Sequence, residues 1–294
     1  MHRSLTTLLL IGIAWLQPLP IRADEQLLPG ALEGVAELPI NPGNVAVTAD
    51  GRVFATVHQF RRRDVQLIEI TGPDSYRPWP SQSWKGHLWV IDNGLGEPPQ
   101  VPKLLGFRLT DGTLAFRYDF PPETAPAGSF LNDLAVDDER GFVYLADVGG
   151  NHEPALVTVN LSTWSSRRFS ASPALQAEDV DLVVEGRVIG TRQEDGTFKA
   201  ARIGVNPITL SADGETLFFG AMNGRTWYRV PAHLFRAGAS DTAIAEAIDV
   251  AGPKPISDGA STDTEGNHYF TDLGESAITV LRPSGALETL VRDD

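Results

Sequence analysis

The sequence predicts an all-β protein, a six-bladed β-propeller whose sixth blade is incomplete or truncated at the C-terminus. The clearest repeating unit runs from Asn206 to Tyr228, and its turns fall at Asp213-Gly214 and Asn223-Gly224. Apolar and polar residues alternate before the first turn, and an apolar run, Leu217-Phe218-Phe219, lies between the turns. This pattern is typical of antiparallel strands joined by tight turns. The unit recurs along the chain, so we expect a ring of four-stranded blades.

Five such units follow one another along the chain. In the first, second, third and fifth units a turn glycine precedes an aromatic residue by three positions. In the fourth unit Gly214 precedes Phe218 by four positions. The turn glycines recur at intervals of about 35 to 75 residues, which fits blades with loops of uneven length. The units span Asn44 to Ile70, Gly86 to Phe120, Asn132 to Asn160, Asn206 to Tyr228, and Asp258 to Val291.

Three of the units carry an aspartate two residues before a glycine, at Asp92, Asp147 and Asp272. Aspartate side chains often accept hydrogen bonds from the backbone two residues later. We expect these three to orient turns, with a ligand role as the alternative.

The segments between the units are less regular. Val180 to Gly196 contains a hairpin-like segment that could elaborate one blade or form a degenerate blade, and short helices are predicted for Ala232 to Ala237 and Ser240 to Ala247. A strand predicted for Ala31 to Leu38 would be the outer strand of a sixth blade that begins just after Asp294. The alternative is a five-bladed or a cramped six-bladed ring.

The N-terminus has the features of a signal peptide. His2 and Arg3 precede an apolar run from Leu8 to Leu16, and a small residue stands at Ala23. The run is too short to span a bilayer. The expected mature protein is a single propeller domain of residues 24–294, secreted or periplasmic.

Composition excludes several classes of function. The formal charge of −14 argues against nucleic acid and anionic membrane surfaces as partners, because both require basic patches. The absence of cysteine excludes disulfides, thiolate metal sites and cysteine nucleophiles.

The acidic cluster Glu178, Asp179 and Asp181 could bind a cation, but we interpret it as an exposed turn.

Polar residues recur where the first strand of a blade begins, seven to nine positions before the turn glycine. The first strand of each blade lines the central channel, so these side chains are expected to converge on one axis. Their oxygens could hold Ca²⁺ or hydrogen-bond a polar ligand, or the residues could simply be turn formers. They are Asn44, Asn132 with the adjacent Asp133, Asn206 and Asp258.

Several segments together resemble the major royal jelly protein/yellow family, in a bacterial-type member. They are Phe130–Val136 with Tyr144–Asp147, Val205–Ser211 with Leu217–Phe219, Tyr228–Pro231, and Ser257–Gly259 with Tyr269–Asp272. The resemblance extends over nearly the whole expected mature chain, from about Val35 to the end. The resemblance implies a secreted six-bladed propeller. It also implies a function among those of the family, which include dopachrome conversion and the binding of biogenic amines.

The chain is more distantly similar to the gluconolactonase/regucalcin propellers. That resemblance implies a divalent metal, Ca²⁺ or another, held by Asn132, Asn206 and Asp258. The glutamate that completes the family's ligand set is replaced here by Asn44 or Asn41, which lowers the expected metal affinity.

Three functions follow as hypotheses. The first is binding of a small polar or aromatic ligand, amine-like or catechol-like, at Asn44, Asn132, Asn206 and Asp258. The second is Ca²⁺-dependent lactone hydrolysis with Asp258 or Asp133 activating water. The third is a structural or partner-binding propeller without catalysis.

Overall fold

A computed structural model describes residues 34–40, 42–48, 51–57, 67–78, 87–95, 97–150, 152–184 and 186–292. These residues form an all-β propeller of five blades, and each blade corresponds to one of the five units predicted from the sequence. The predicted incomplete sixth blade stays a prediction. No helix in the described part of the chain is long and apolar enough to cross a membrane.

Four blades have four antiparallel strands and one has three. Blade 1 contains β1 (Pro42–Val47), β2 (Val53–Val57), β3 (Leu67–Gly72) and β4 (Ser75–Pro78). Blade 2 contains β5 (His87–Asp92), β6 (Lys103–Arg108) and β7 (Leu114–Asp119). Blade 3 contains β8 (Leu131–Asp137), β9 (Phe142–Asp147), β10 (Ala155–Asn160) and β11 (Ser165–Phe169).

A 3-10 turn (Pro173–Leu175) and two small hairpins precede blade 4. The hairpins pair β12 (Val183–Val184) with β13 (Arg187–Val188), and β14 (Gly190–Arg192) with β15 (Phe198–Ala200). The predicted hairpin-like segment is therefore an elaboration and not a blade of its own.

Blade 4 contains β16 (Val205–Leu210), β17 (Thr216–Ala221), β18 (Thr226–Pro231) and β19 (Asp249–Pro253). Both predicted helices are confirmed, as α1 (Ala232–Arg236) and α2 (Asp241–Glu246), and both lie within this blade, between β18 and β19. Blade 5 contains β20 (Ser257–Thr262), β21 (His268–Asp272), β22 (Ala277–Leu281) and β23 (Leu287–Arg292).

The strand predicted for Ala31 to Leu38 is wrong over its described residues, 34–38, which form no strand. Instead, the Glu37 backbone N–H donates to the carbonyl of Pro73 at 2.6 Å. Leu38 packs with Ile40 and Ile68 on blade 1. This segment is thus held by apolar packing on blade 1 and not by pairing with a strand.

Successive blades are held together by buried apolar side chains. Blades 1 and 2 share a cluster around Phe54 and Leu88, and blades 4 and 5 share one around Trp227 and Phe270. Burying a large apolar side chain contributes about 1.5–3 kcal/mol, so each cluster is a substantial part of the folding free energy. Among the described residues, no such cluster joins blade 5 to blade 1.

The three turn aspartates act as predicted. Gly94 N–H donates to Asp92 at 2.8 Å, Gly149 N–H to Asp147 at 3.0 Å, and Gly274 N–H to Asp272 at 3.1 Å. All three also have other partners: Lys103 pairs with Asp92, Arg168 pairs with the fully buried Asp147, and the Thr279 hydroxyl donates to Asp272. The interpretation as turn-orienting residues is confirmed.

Blade 2 lacks an inner strand in the described part of the chain. The turn Asp92–Gly94 follows β5 as Asp147–Gly149 follows β9, so β5 corresponds to the second strand of a blade. All six residues of β5 are half-buried, whereas five of the six in β9 are buried. Residues 79–86, which directly precede β5, lie outside the described part.

Candidate functional site

Three of the predicted site residues meet at the centre of the ring. The Asn132 amide Nδ2 donates to Asn206 Oδ1 at 2.6 Å. The Asn206 amide Nδ2 in turn donates to the Asp258 carboxylate and, at 3.1 Å, to the Asp258 carbonyl. The residues come from blades 3, 4 and 5, so one hydrogen-bonded chain, which we call the axial chain, links three blades.

Irregular pairing places these side chains. The register of the inner strand shifts between Leu131 and Asp133, between Val205 and Ile208, and between Ser257 and Ala260. A bulge changes the direction of the side chain of the extra residue, and the residues within these shifts include Asn132, Asn206 and Asp258. Blade 1 has a similar shift between Pro42 and Val45. It spans Asn44, whose side chain, like Asn41, lies outside the described residues.

Asp133 lies beside the axial chain, at the wall of the central cavity. Its carboxylate accepts from the Leu134 N–H at 2.9 Å and from the Ile208 N–H of blade 4 at 3.3 Å. Burial raises the pKa of Asp133 to about 7, the two N–H groups oppose the rise, and the charge of Asp258 adds to it. A carboxyl with such a pKa can exchange a proton near neutral pH, as the predicted catalytic role requires.

Asn93 also belongs to the site, although the sequence did not single it out. Its amide donates to the Leu131 carbonyl at 2.7 Å, and its oxygen accepts from the Leu131 N–H at 2.9 Å. The side chain thus ties the end of blade 2 to the residue before Asn132. Asn93 stands between Asp92 and Gly94, and its only sequence signal is that of a turn residue.

These residues border a cavity of about 520 Å³. Its polar wall contains Asp92, Asn93, Asn132, Asp133 and Asp258, and its other described walls are mainly apolar. No lysine, arginine or histidine is among the described lining residues. Asp92 is paired with Lys103, whereas none of the described ion pairs involves Asp133 or Asp258. The described part of the cavity wall is therefore net negative and partly desolvated.

The axial chain suits a divalent cation poorly as it is arranged. Ca²⁺ takes oxygen ligands, but the amide nitrogens of Asn132 and Asn206 occupy the short gaps between the three side chains. Asn206 Oδ1 and Asp258 Oδ1 each already accept a hydrogen bond. In the described part of the chain, no group of three or more histidine or acidic residues could hold a metal.

The acidic cluster in the loop before blade 4 does not converge on a cation site either. Glu178 accepts from the backbone N–H groups of Arg225 and Thr226, at 3.0 and 3.1 Å. Asp179 and Asp181 both pair with Arg202. The three carboxylates have separate structural partners, in line with the interpretation as a turn.

Fold and site together define a β-propeller with a polar, acidic cavity at its axis. The family model described as major royal jelly protein matches residues 84–291. The match covers more than half of the chain, and the chain belongs to the major royal jelly protein family. No curated protein matches the sequence.

Solved structures agree on the fold. A streptogramin B lyase has a TM-score of 0.50 at 14% identity, over 90% of this chain and 87% of the lyase. A luciferin-regenerating enzyme has a TM-score of 0.50 at 9% identity, over 87% of this chain and 76% of the enzyme. These likenesses show the fold alone.

A regucalcin, a calcium-binding protein from Agrobacterium tumefaciens, is similar over 86% of this chain and 75% of its own length. The identity is 15% and the TM-score 0.49. A TM-score of this size supports no inference about the site.

Proposed function

We propose that this protein binds a small ligand with an amine-like or catechol-like head at the axial cavity. The observation that carries the proposal is that Asp258 and Asp133 border one cavity whose described lining has no basic side chain. A desolvated carboxylate without a cationic partner is costly, so a cationic or hydrogen-bond-donating ligand would lower the free energy of the site.

The rest of the lining suits a ligand with an aromatic body. Trp89 borders the cavity and stacks on Phe116, with ring centroids 5.3 Å apart. Aromatic rings attract cations over their faces and pack against planar ligands. The cavity volume lies within the usual range of about 300–1,000 Å³ for small-molecule sites.

Calorimetry with tyramine and catechol tests the proposal. We expect binding to the wild type and at least about tenfold weaker amine binding by Asp258→Asn, since a charged partner is lost. Asp111→Asn, which removes a carboxylate from an exposed turn, is the matched control and should leave binding unchanged. If neither compound binds the wild type, the proposal is wrong.

The proposal includes export and a six-bladed ring. Residues 1–23 would be removed as a signal peptide, giving a secreted or periplasmic protein. The lack of an apolar cluster between blades 5 and 1, among the described residues, supports space for a sixth, incomplete blade. Mass spectrometry of the protein isolated from the source cells tests the first part, with cleavage after Ala23 as the expected result.

A second candidate is a Ca²⁺-dependent lactone hydrolase. The meeting of Asn132, Asn206 and Asp258 favours it, because these are the residues that would hold the ion. When bound, the ion would polarise a lactone carbonyl. The hydrogen bonds within the axial chain count against it. Lactone hydrolysis that requires Ca²⁺ and is lost in Asp258→Ala would support this candidate, and activity that survives chelation would exclude it.

A third candidate is a structural or partner-binding propeller without catalysis. It gains support if no amine, catechol or lactone interacts with the wild type. A partner captured by the wild type and lost on substitution of an exposed rim residue such as Leu95, which is 47% exposed, would favour it.

A further inference from the structure

The turn between β10 and β11 carries an exposed tryptophan in a strained backbone conformation. Trp164 is 40% exposed and has a φ of +53°, a left-handed value that is unfavourable for a residue with a Cβ. Asn160 closes the turn by accepting from the N–H groups of Ser162 and Thr163, at 2.9 and 3.1 Å. Glycine would adopt this backbone without strain. The side chain of Trp164, and not the shape of the turn, therefore accounts for a tryptophan at this position.

The Trp164 ring lies at the end of a row of aromatic rings. Its centroid is 5.6 Å from that of Phe116 on β7, and Phe116 stacks on Trp89 of β5 at 5.3 Å. Gly106 lies on β6, between these two strands, and a Cβ there would be 2.9 Å from both the Phe116 and the Trp89 side chains. The glycine therefore allows the rings to lie close together across three strands, and Trp164 presents the row to solvent.

Hydroxyl groups and paired charges accompany the exposed ring. The hydroxyls of Thr163 and Ser165, on either side of Trp164 in the chain, are both exposed and hydrogen-bond each other at 2.8 Å. Each hydroxyl has one donor and two acceptor positions, so the pair keeps hydrogen-bonding capacity toward a ligand. The charged residues of β7 and β11 all have ionic partners, in the pairs Arg117–Asp119, Arg167–Asp241 and Arg168–Asp147.

We propose that Trp164 is the platform of a second binding site, which takes a sugar ring of a neutral oligosaccharide. The face of an aromatic ring is electron-rich, so it attracts the weakly positive C–H groups on one side of a pyranose ring. The Thr163 and Ser165 hydroxyls bond to the hydroxyls at the edge of that ring. Because β7 and β11 supply no unpaired charge, and because the chain has a net charge of −14, an acidic polysaccharide is disfavoured. Trp164 lies outside the described lining of the axial cavity, so this site is independent of the proposed function.

Calorimetry with three neutral hexasaccharides, cellohexaose, maltohexaose and mannohexaose, tests the site. We expect the wild type to bind at least one of them with a Kd of about 1 mM or tighter, and Trp164→Gly to bind it at least about tenfold more weakly. Glycine accommodates the φ of +53°, so this variant removes the ring without straining the turn. If none of the sugars binds the wild type at this level, the proposal is wrong. Binding of decaproline without binding of any sugar would assign the platform to a proline-rich peptide and would also overturn it.

Three further variants locate the sugar. Trp164→Phe keeps a smaller ring and should bind with an intermediate Kd, and it decides the test if circular dichroism shows that Trp164→Gly does not fold. Phe198→Ser removes an aromatic side chain that is 51% exposed on β15 and should leave the Kd unchanged. Asp258→Asn should also keep the sugar affinity, because Asp258 borders the axial cavity. Sugar binding that is unchanged in a folded Trp164 variant, or lost only in Asp258→Asn, would overturn the assignment.

Discussion

Asn132 donates a hydrogen bond to Asn206 at 2.6 Å, although the two residues are 74 positions apart in the chain. The Asn206 amide in turn donates a hydrogen bond to Asp258 of the next blade. Asn206 is only 1% exposed, so its amide forms hydrogen bonds with these two neighbours instead of with water. The axial chain therefore fixes three inner strands relative to one another while it shapes the polar wall of the cavity.

Asn206→Ala should destabilise the protein. The substitution leaves the buried partners of the amide unsatisfied, which costs about 1–3 kcal/mol. Urea unfolding followed by circular dichroism measures the change. Gln193→Ala removes an amide from an exposed hairpin and should stay within about 0.5 kcal/mol of the wild type. Equal stability of both variants would contradict the structural role of the axial chain.

Amine binding should strengthen as the pH rises from 6 to 8. Burial raises the pKa of Asp133 to about 7, so the carboxyl is mostly neutral at the lower pH and mostly ionised at the higher one. A protonated amine near it gains a charged partner over this window. Calorimetric titration of tyramine at several pH values measures the effect, and Asp133→Asn should flatten the profile. A profile that is already flat in the wild type would contradict this assignment.

Gly94→Ala should be strongly destabilising. Gly94 has a φ of +66°, and a Cβ there would lie 2.1 Å from the Gln100 carbonyl oxygen. Gly285 has a φ of +87° with nothing within 4 Å of its Cβ position, so Gly285→Ala isolates the backbone strain. That strain costs about 1–2 kcal/mol. Chemical unfolding should show a larger loss for Gly94→Ala, and equal losses would mean that the contact is relieved by movement of the loop.

The ionisation of Lys254 should make the free energy of unfolding change with pH between about 7 and 10.5. The side chain is 1% exposed, and its ammonium donates to the carbonyls of Gly224 and Pro255 at 2.9 and 2.8 Å. Burial lowers the pKa of Lys254 from 10.5 to about 7, with Glu178 partly opposing the shift. Between these two pH values the unfolded chain binds the proton that the folded chain has released, so this residue adds stability as the pH rises.

The comparison of wild type with Lys254→Met tests this dependence. The free energy of unfolding of the wild type, relative to the variant, should increase from pH 7 to pH 10. Lys199→Met, at an exposed position on β15, should show no such change relative to the wild type. A constant difference between wild type and Lys254→Met would mean that the folded and unfolded pKa values are alike.

The local pattern of the sequence determined the five blades. Turn glycines, the aspartates at Asp92, Asp147 and Asp272, and the alternation of apolar residues act over a few neighbouring positions, so they can be interpreted without the fold. The same pattern identified Asn132, Asn206 and Asp258 as residues at equivalent positions of different blades.

Only the tertiary structure decided how those residues meet. The hydrogen bonds of the axial chain and those between Asn93 and Leu131 join residues distant in sequence. The wrong strand at residues 34–38 has the same origin, because pairing partners are set by packing on blade 1. Local sequence determines which strands can form, whereas the cavity between them depends on long-range packing that no single segment encodes.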